Sequence, residues 1–275
     1  MIGFAGNGHG GKAALISLQE YFTEIEILSE DKELLNLART TDISHFDHDF
    51  SIFNSKVIVC AGYMFLIAKE QILEKIIINT HPSLLPKYRG LHSLAWAILN
   101  GEKEIGFTIH LMNEKIDDGD ILHQWKIKNQ GQSSKFFLDK FDDLIKSELG
   151  IIIFKYLKGE IQPIPQNKKN ATWVSRRSLM DCQLDFNSTN IELKRFMQAL
   201  SPPYPYPFFI YKSIKYEVRE MEFTFPKYFS TPGKIVNIDN SGIYIKTKDS
   251  CVLLSMIFSD DKKVDPKIFK LGVKL

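Results

Sequence analysis

The chain opens with MIGFAGNGHGGKAAL (residues 1–15), in which Gly6, Gly8 and Gly11 spell G-x-G-x-x-G. A short apolar run, a glycine turn and then apolar residues at helical spacing predict a strand over residues 2–5 and a helix from Lys12 to Phe22. The pattern repeats downstream. Glu24 to Leu28 (EIEIL) alternates like a strand, and Ser29 can cap a helix whose first turn holds Glu30 and Asp31, where the helix dipole favours acids. Val57 to Ala61 (VIVCA) is a continuous apolar run of the kind buried on both faces. Ala68 to Ile76 reads as a helix and Ile76 to Asn79 as another buried strand. Alternation at this spacing implies an α/β fold: a Rossmann-like, mostly parallel sheet with helices on both faces.

Further on, Leu91 to Leu99 looks helical, Gly106 to Met112 and Ile121 to Lys128 look extended, and a long amphipathic helix is expected over Lys135 to Leu157. The polar, proline-containing segment IQPIPQNKKN (161–170) reads as the start of a linker. Ile191 to Leu200 forms a further helix, ended by SPPYPYP (201–207). From Phe208 the chain alternates, as in IKYEVREMEF and KIVNIDNSGIYIKT, with Asp239 to Gly242 supplying hairpin turn chemistry. The expected organisation is a catalytic domain over 1–175, a helical connector over 176–205, and a small antiparallel β domain over 206–275, OB-like in character.

Bulk composition narrows the class. Among 275 residues, 44% are hydrophobic and 25% charged, which suits a soluble globular chain, and a net charge of +2 is too mild to demand nucleic acid or a membrane surface. Cys60, Cys182 and Cys251 lie far apart and form no C-x-x-C pair, so neither a zinc site nor a disulfide framework is expected. The longest apolar stretches, such as Leu149 to Phe154, are too short to span a bilayer. A cytoplasmic location follows as the expectation. HFDHD (45–49) carries metal-ligand residue types but reads as a solvated loop, and no metal is expected. His110 and His123 read as strand-face residues with ordinary hydrogen bonds, and Cys60 as a small core residue.

The chemistry concentrates in IINTHPSLLPKYRG (77–90) and IDDGDIL (116–122). Asn79 and His81 follow a buried parallel strand, at the end where open α/β sheets place their ligand crevices. Two residues apart on extended chain, they point the same way and can face one reacting atom. An amide donor beside an imidazole can stabilise a developing oxyanion and move a proton. Asp117, in a turn closed by Gly119, is the candidate carboxylate that orients the histidine and favours its charged form.

The pairing of N-T-H-P-S-L-L-P-K-Y-R-G with I-D-D-G-D-I-L resembles the folate-dependent formyltransferases. The likeness covers most of residues 1–125 and continues more weakly through RRSLMDCQLDF (176–186) and SPPYPYPFF (201–209). It implies that Asn79, His81 and Asp117 are the catalytic residues and that 10-formyltetrahydrofolate is the formyl donor. It also implies a pterin site walled by Tyr63, Phe65, Leu66 and Asp118. RGLHSLAWAILNGE (89–102) is most similar to the sugar-nucleotide branch. The expected acceptor is therefore the amine of a UDP- or dTDP-linked 4-amino-4,6-dideoxy sugar, used in cell-surface polysaccharide biosynthesis. Lys87 or Arg89 would meet the pyrophosphate, Tyr204 or Tyr206 would stack on the nucleobase or pack the proline corner, and a homodimer is expected. The alternatives are methionyl-tRNA formylation, with Lys234, Lys246, Lys248, Lys262 and Lys263 as a local basic patch, and a non-catalytic module that binds folate or a nucleotide sugar.

The opening glycines stay open to three readings. With Glu30 near the position of a ribose-binding acid they fit a dinucleotide. As a turn at a helix N-terminus they fit a substrate phosphate, held by Gly8 and His9. They also fit a purely structural turn.

Overall fold

The apolar runs of the first half assemble into one six-stranded sheet. Its elements in chain order are β1 (Ile2–Gly6), α1 (Gly8–Gln19), β2 (Ile25–Leu28), α2 (Lys32–Leu37), β3 (Val57–Ala61), α3 (Lys69–Glu74), β4 (Ile76–His81), α4 (Ser93–Leu99), β5 (Glu104–Leu111), β6 (Ile121–Lys128) and α5 (Ser134–Leu157). This is a computed structural model, and it describes residues 1–37, 50–223 and 227–275; the HFDHD segment lies outside the described residues. The strand order is β2-β1-β3-β4-β5-β6. The first four strands pair in parallel, and β5 and β6 continue the sheet antiparallel. α1 starts at Gly8 rather than Lys12, because packing on the sheet overrides the weak helix preference of three glycines.

Side-chain alternation divides the sheet into two faces. Phe107 of β5 meets Phe141 of α5 with ring centroids 5.0 Å apart, so α5 covers one face. On the opposite face Ala5, Ile58, Cys60 and Ile77 build a core with Leu28, Phe50 and Phe53. Asn79 and His81 follow Ile77 at two-residue steps and share its face. α5 also packs closely on α1: the Gly150 N–H donates to Ser17 Oγ at 2.9 Å.

The chain divides into two compact units. One comprises Met1–Ser93, Glu104–Lys128 and Phe136–Ser175, and the other Leu94–Lys103, Asn129–Lys135 and Arg176–Leu275. The second unit holds α6 (Asn190–Ala199), opened by a capping box between Thr189 and Glu192. It also holds β7 (Phe208–Tyr211), β8 (Ile214–Glu222), β9 (Ile235–Asp239), β10 (Gly242–Lys246), β11 (Cys251–Ser259) and β12 (Lys262–Lys263). Five strands run in the order β7-β8-β11-β10-β9, and β12 pairs with β11. Bulges along the β8–β11 ladder curl the sheet into an open half-barrel. Leu184, Phe186 and Leu193 fill it together with Val218, Ile243 and Leu254. Among the described residues no helix is long and apolar enough to cross a membrane.

The contact between α1 and α5 generates a stability prediction. A Cβ on Gly150 would lie 2.2 Å from the Ser17 carbonyl oxygen, so only glycine fits without moving a helix. Gly150→Ala is expected to lower unfolding stability by about 1–3 kcal/mol, read as a drop in the urea midpoint. An unchanged midpoint would mean that the two helices are not packed this closely.

Candidate active site

Strand register brings the site together. Asn79 of β4 lies directly opposite His110 of β5, and directly opposed residues of an antiparallel pair project to the same face. Asn79 Nδ2 sits 3.3 Å from His110 Nε2. His110 Nδ1 lies 2.8 Å from the Leu111 carbonyl oxygen, which fixes its proton on Nδ1 and leaves Nε2 to accept from the Asn79 amide. His110 therefore keeps one ordinary hydrogen bond, as the sequence suggested, but its other nitrogen belongs to the constellation. The signal that would have found it is the antiparallel pairing of Gly106–Met112 with the Asn79 strand.

His81 ends β4 and is buried. Its Nε2 donates to the Tyr88 carbonyl oxygen at 2.9 Å, and its Nδ1 faces Asp117 Oδ2 at 3.5 Å. Asp117 comes from the β5–β6 connection. Its Oδ2 accepts from the Gly90 N–H at 2.8 Å, and its Oδ1 lies 3.5 Å from His110 Nε2. Asp117 and Tyr88 both hold left-handed backbone, with φ of 50° and 60°. Such residues outside glycine persist where their surroundings over-determine them, and here they aim the acid and the acceptor of the His81 proton. Gly119 lets the turn lie against β5, since a Cβ there would sit 1.8 Å from the Leu111 carbonyl oxygen.

Burial sets the electrostatics. It would raise the Asp117 carboxyl, but His110, His81 and the Gly90 N–H together override it and bring the pKa down to about 2. His81 moves the other way from expectation. Burial outweighs the pull of Asp117 and the Tyr88 carbonyl and lowers its pKa below the usual 6.5, with His110 adding to the lowering. The resting site is thus an ionised acid beside a neutral imidazole, not the imidazolium that the sequence suggested.

The other sequence-derived positions have clear surroundings. Asp118 and Arg89, expected at the pterin wall and the pyrophosphate, are both buried and face one another: Arg89 Nη1 lies 2.5 Å from Asp118 Oδ1. Arg89 Nη2 also donates to Gln166 Oε1 at 2.6 Å, so the guanidinium is committed inside the fold. Lys87 is exposed. The Tyr63 and Phe65 rings lie 5.5 Å apart beyond β3, with Phe65 40% and Leu66 87% exposed. His9 is exposed, but the Gly8 N–H donates to Asp31 Oδ2 at 3.1 Å. The helix start already holds a carboxylate of its own chain. Tyr204 and Tyr206 belong to the second unit, where burial raises the Tyr204 phenol and the Arg219 guanidinium lies 5.0 Å from the centre of the Tyr206 ring. His123 packs edge-on to Trp125 at 4.6 Å, and Cys60 is a core residue.

A formyl transferase model matches residues 25–138, and a model of the formyl transferase C-terminal domain matches residues 178–273. A methionyl-tRNA formyltransferase of Ehrlichia ruminantium (strain Gardel) is 31% identical over 214 residues, covering 76% of this chain and 68% of the relative. This chain belongs to the formyl transferase family. The methionyl-tRNA formyltransferase of Mesoplasma florum is 29% identical to this formyltransferase over 225 residues, covering 81% of this chain and 70% of that one. The fold matches an N-formyltransferase from Helicobacter canadensis, solved with folinic acid and dTDP-3-aminofucose. That likeness has a TM-score of 0.71 and 15% identity, and covers 92% of this chain and 98% of that one.

The buried carboxylate links protonation to stability. A carboxyl depressed from its ordinary 3.8 to about 2 stabilises the fold above pH 3.8, and the gain disappears as pH falls through about 2. Asparagine tolerates left-handed backbone, so Asp117→Asn removes the charge and keeps the turn. The variant should be less stable at pH 7 by on the order of 2 kcal/mol, and the gap in urea midpoints should close on acidification. A gap that persists below pH 2 would show that the carboxylate charge is not its source.

Proposed function

We propose that this formyltransferase moves a formyl group from 10-formyltetrahydrofolate to the amine of an aminoacylated initiator tRNA. One observation carries the choice of acceptor. Relatives named methionyl-tRNA formyltransferase match this chain over three-quarters of its length or more, at identities near 30%. The order of preference drawn from the sequence, sugar before tRNA, is thereby reversed.

The residues present suit the donor. Tyr63, Phe65 and Leu66 form an apolar ledge at the exit of β3, the strand that pairs with β4 at Asn79, and a flat pterin ring can lie on such a surface. The donor supplies a carbonyl carbon that an amine can attack. Asn79 carries two amide hydrogens, of which His110 takes one, and the other can meet the formyl oxygen as it gains negative charge. Neutral His81 with ionised Asp117 accepts the proton shed by the attacking amine, and the imidazolium then formed faces a carboxylate. As the new C–N bond forms, the bond to the folate nitrogen breaks, and that nitrogen takes a proton back. An oxyanion donor of this kind is worth about 3–4 kcal/mol in acyl transfer.

A second reading, transfer to a nucleotide-linked amino sugar, is favoured by the charge balance. Thirty-five basic against 33 acidic residues give a weak overall field for a polyanion. One experiment separates the two. The protein is mixed with 10-formyltetrahydrofolate and either methionylated initiator tRNA or a panel of nucleotide-linked amino sugars, and mass spectrometry looks for one added formyl group. Formyl on the methionyl amine is the expected result. Formyl on a sugar alone would replace the proposed acceptor, and formyl on neither would overturn both.

The triad assignment has its own test. Asp117→Asn is expected to fold and to lose about 100-fold or more in kcat. Turnover at the unsubstituted rate would mean that another group carries the proton.

A further inference from the structure

The segment that reads in sequence as a linker delivers a buried side chain to the scaffold of the site. Ile164 exchanges both backbone hydrogen bonds with Ile121, each 2.8 Å, which docks the segment at the start of β6. Two residues later Gln166 is only 8% exposed. Its Nε2 donates to the carbonyl oxygens of Asp117 at 2.8 Å and Gly119 at 2.7 Å, and its Oε1 accepts from Arg89 Nη2 at 2.6 Å. Arg89 Nη1 closes the ring on Asp118 Oδ1. We propose that Gln166 is a positioning residue: its amide clamps the 117–119 turn to Arg89 and so fixes the Asp117 carboxylate against His81 and the Gly90 N–H.

Three features assign this role. Asp117 holds left-handed backbone, which needs outside support, and Gln166 binds the carbonyl of that same residue. The clamp reaches both loops of the site, because Arg89 lies between Tyr88, whose carbonyl orients His81, and Gly90, whose N–H holds Asp117. Both amide hydrogens and the amide oxygen are used, so no other side chain of this size supplies the set: glutamate would aim an acceptor at two carbonyl oxygens, and methionine has no donor. Gln166 touches none of the three triad side chains and acts through the Asp117 backbone.

The inference rests on the formyl-transfer reading for its kinetic readout, so a second, activity-free readout accompanies it. Gln166→Met keeps the length of the side chain and removes the clamp. The expected result is a folded variant whose kcat falls about 10–100-fold with little change in either KM. Its His81 imidazole, followed by NMR, should titrate at lower pH than in the unsubstituted protein, because the carboxylate that favours the charged ring has moved away. A variant with a lowered Tm but with kcat per folded molecule and His81 titration both unchanged would overturn the inference and leave Gln166 a structural residue. Should Gln166→Met fail to fold, Gln166→Asn carries the same two expectations, since its amide is one methylene too short to span from Arg89 to the turn. If the unsubstituted protein transfers no formyl group, the functional reading fails, while the His81 titration still decides the clamp.

Discussion

A carboxylate held between two imidazoles, away from bulk water, is the interaction on which the rest of this structure depends. Burial alone would raise the Asp117 carboxyl; the Gly90 N–H, and the two imidazoles as they take up protons, bring its pKa down to about 2. Those partners come from three places in the chain: β4, β5 and the loop through Gly90. Each must be held to within a fraction of an ångström for the charge to be tolerated. Much of the local detail serves that requirement: the left-handed Asp117 and Tyr88, the close approach of Gly119 to β5, and the Arg89–Asp118 pair behind the turn.

The same arrangement explains why His81 is neutral. A lone imidazole beside a carboxylate would gain a proton, but this ring is buried and a second imidazole faces the same acid. For the proposed reaction, His81 is therefore better suited to accept a proton than to donate one at its start. In the proposed transfer, that division of labour leaves the Asn79 amide as the resting hydrogen-bond donor for the formyl oxygen. It also accounts for the position of His110, which takes one amide hydrogen and so fixes the plane of the Asn79 side chain.

Much of this was legible in the sequence because it depends on short-range pattern. The runs VIVCA and IIIN announce buried strands, and the two-residue step from Asn79 to His81 places both on one face. Residues joined by tertiary register were harder to see. His110 matters because β5 runs antiparallel to β4, whereas strand–helix alternation points to parallel pairing. Gln166 sits in a segment whose prolines and polar residues suggest only a connection. Arg89 looks like an anion ligand until its buried partner Asp118 is seen. The opening glycines gave an ambiguous signal for a physical reason: a helix N-terminus attracts any nearby anion, and here Asp31 of the same chain provides it.

Nitrogen-15 NMR of the histidine rings reads the protonation of the buried His81–Asp117 pair directly. At neutral pH the His81 ring is expected to be neutral, with its proton on Nε2 and donated to the Tyr88 carbonyl. A His81 ring protonated on both nitrogens at neutral pH would contradict that expectation, because the acid would then have overcome burial and the proposed base would already be spent.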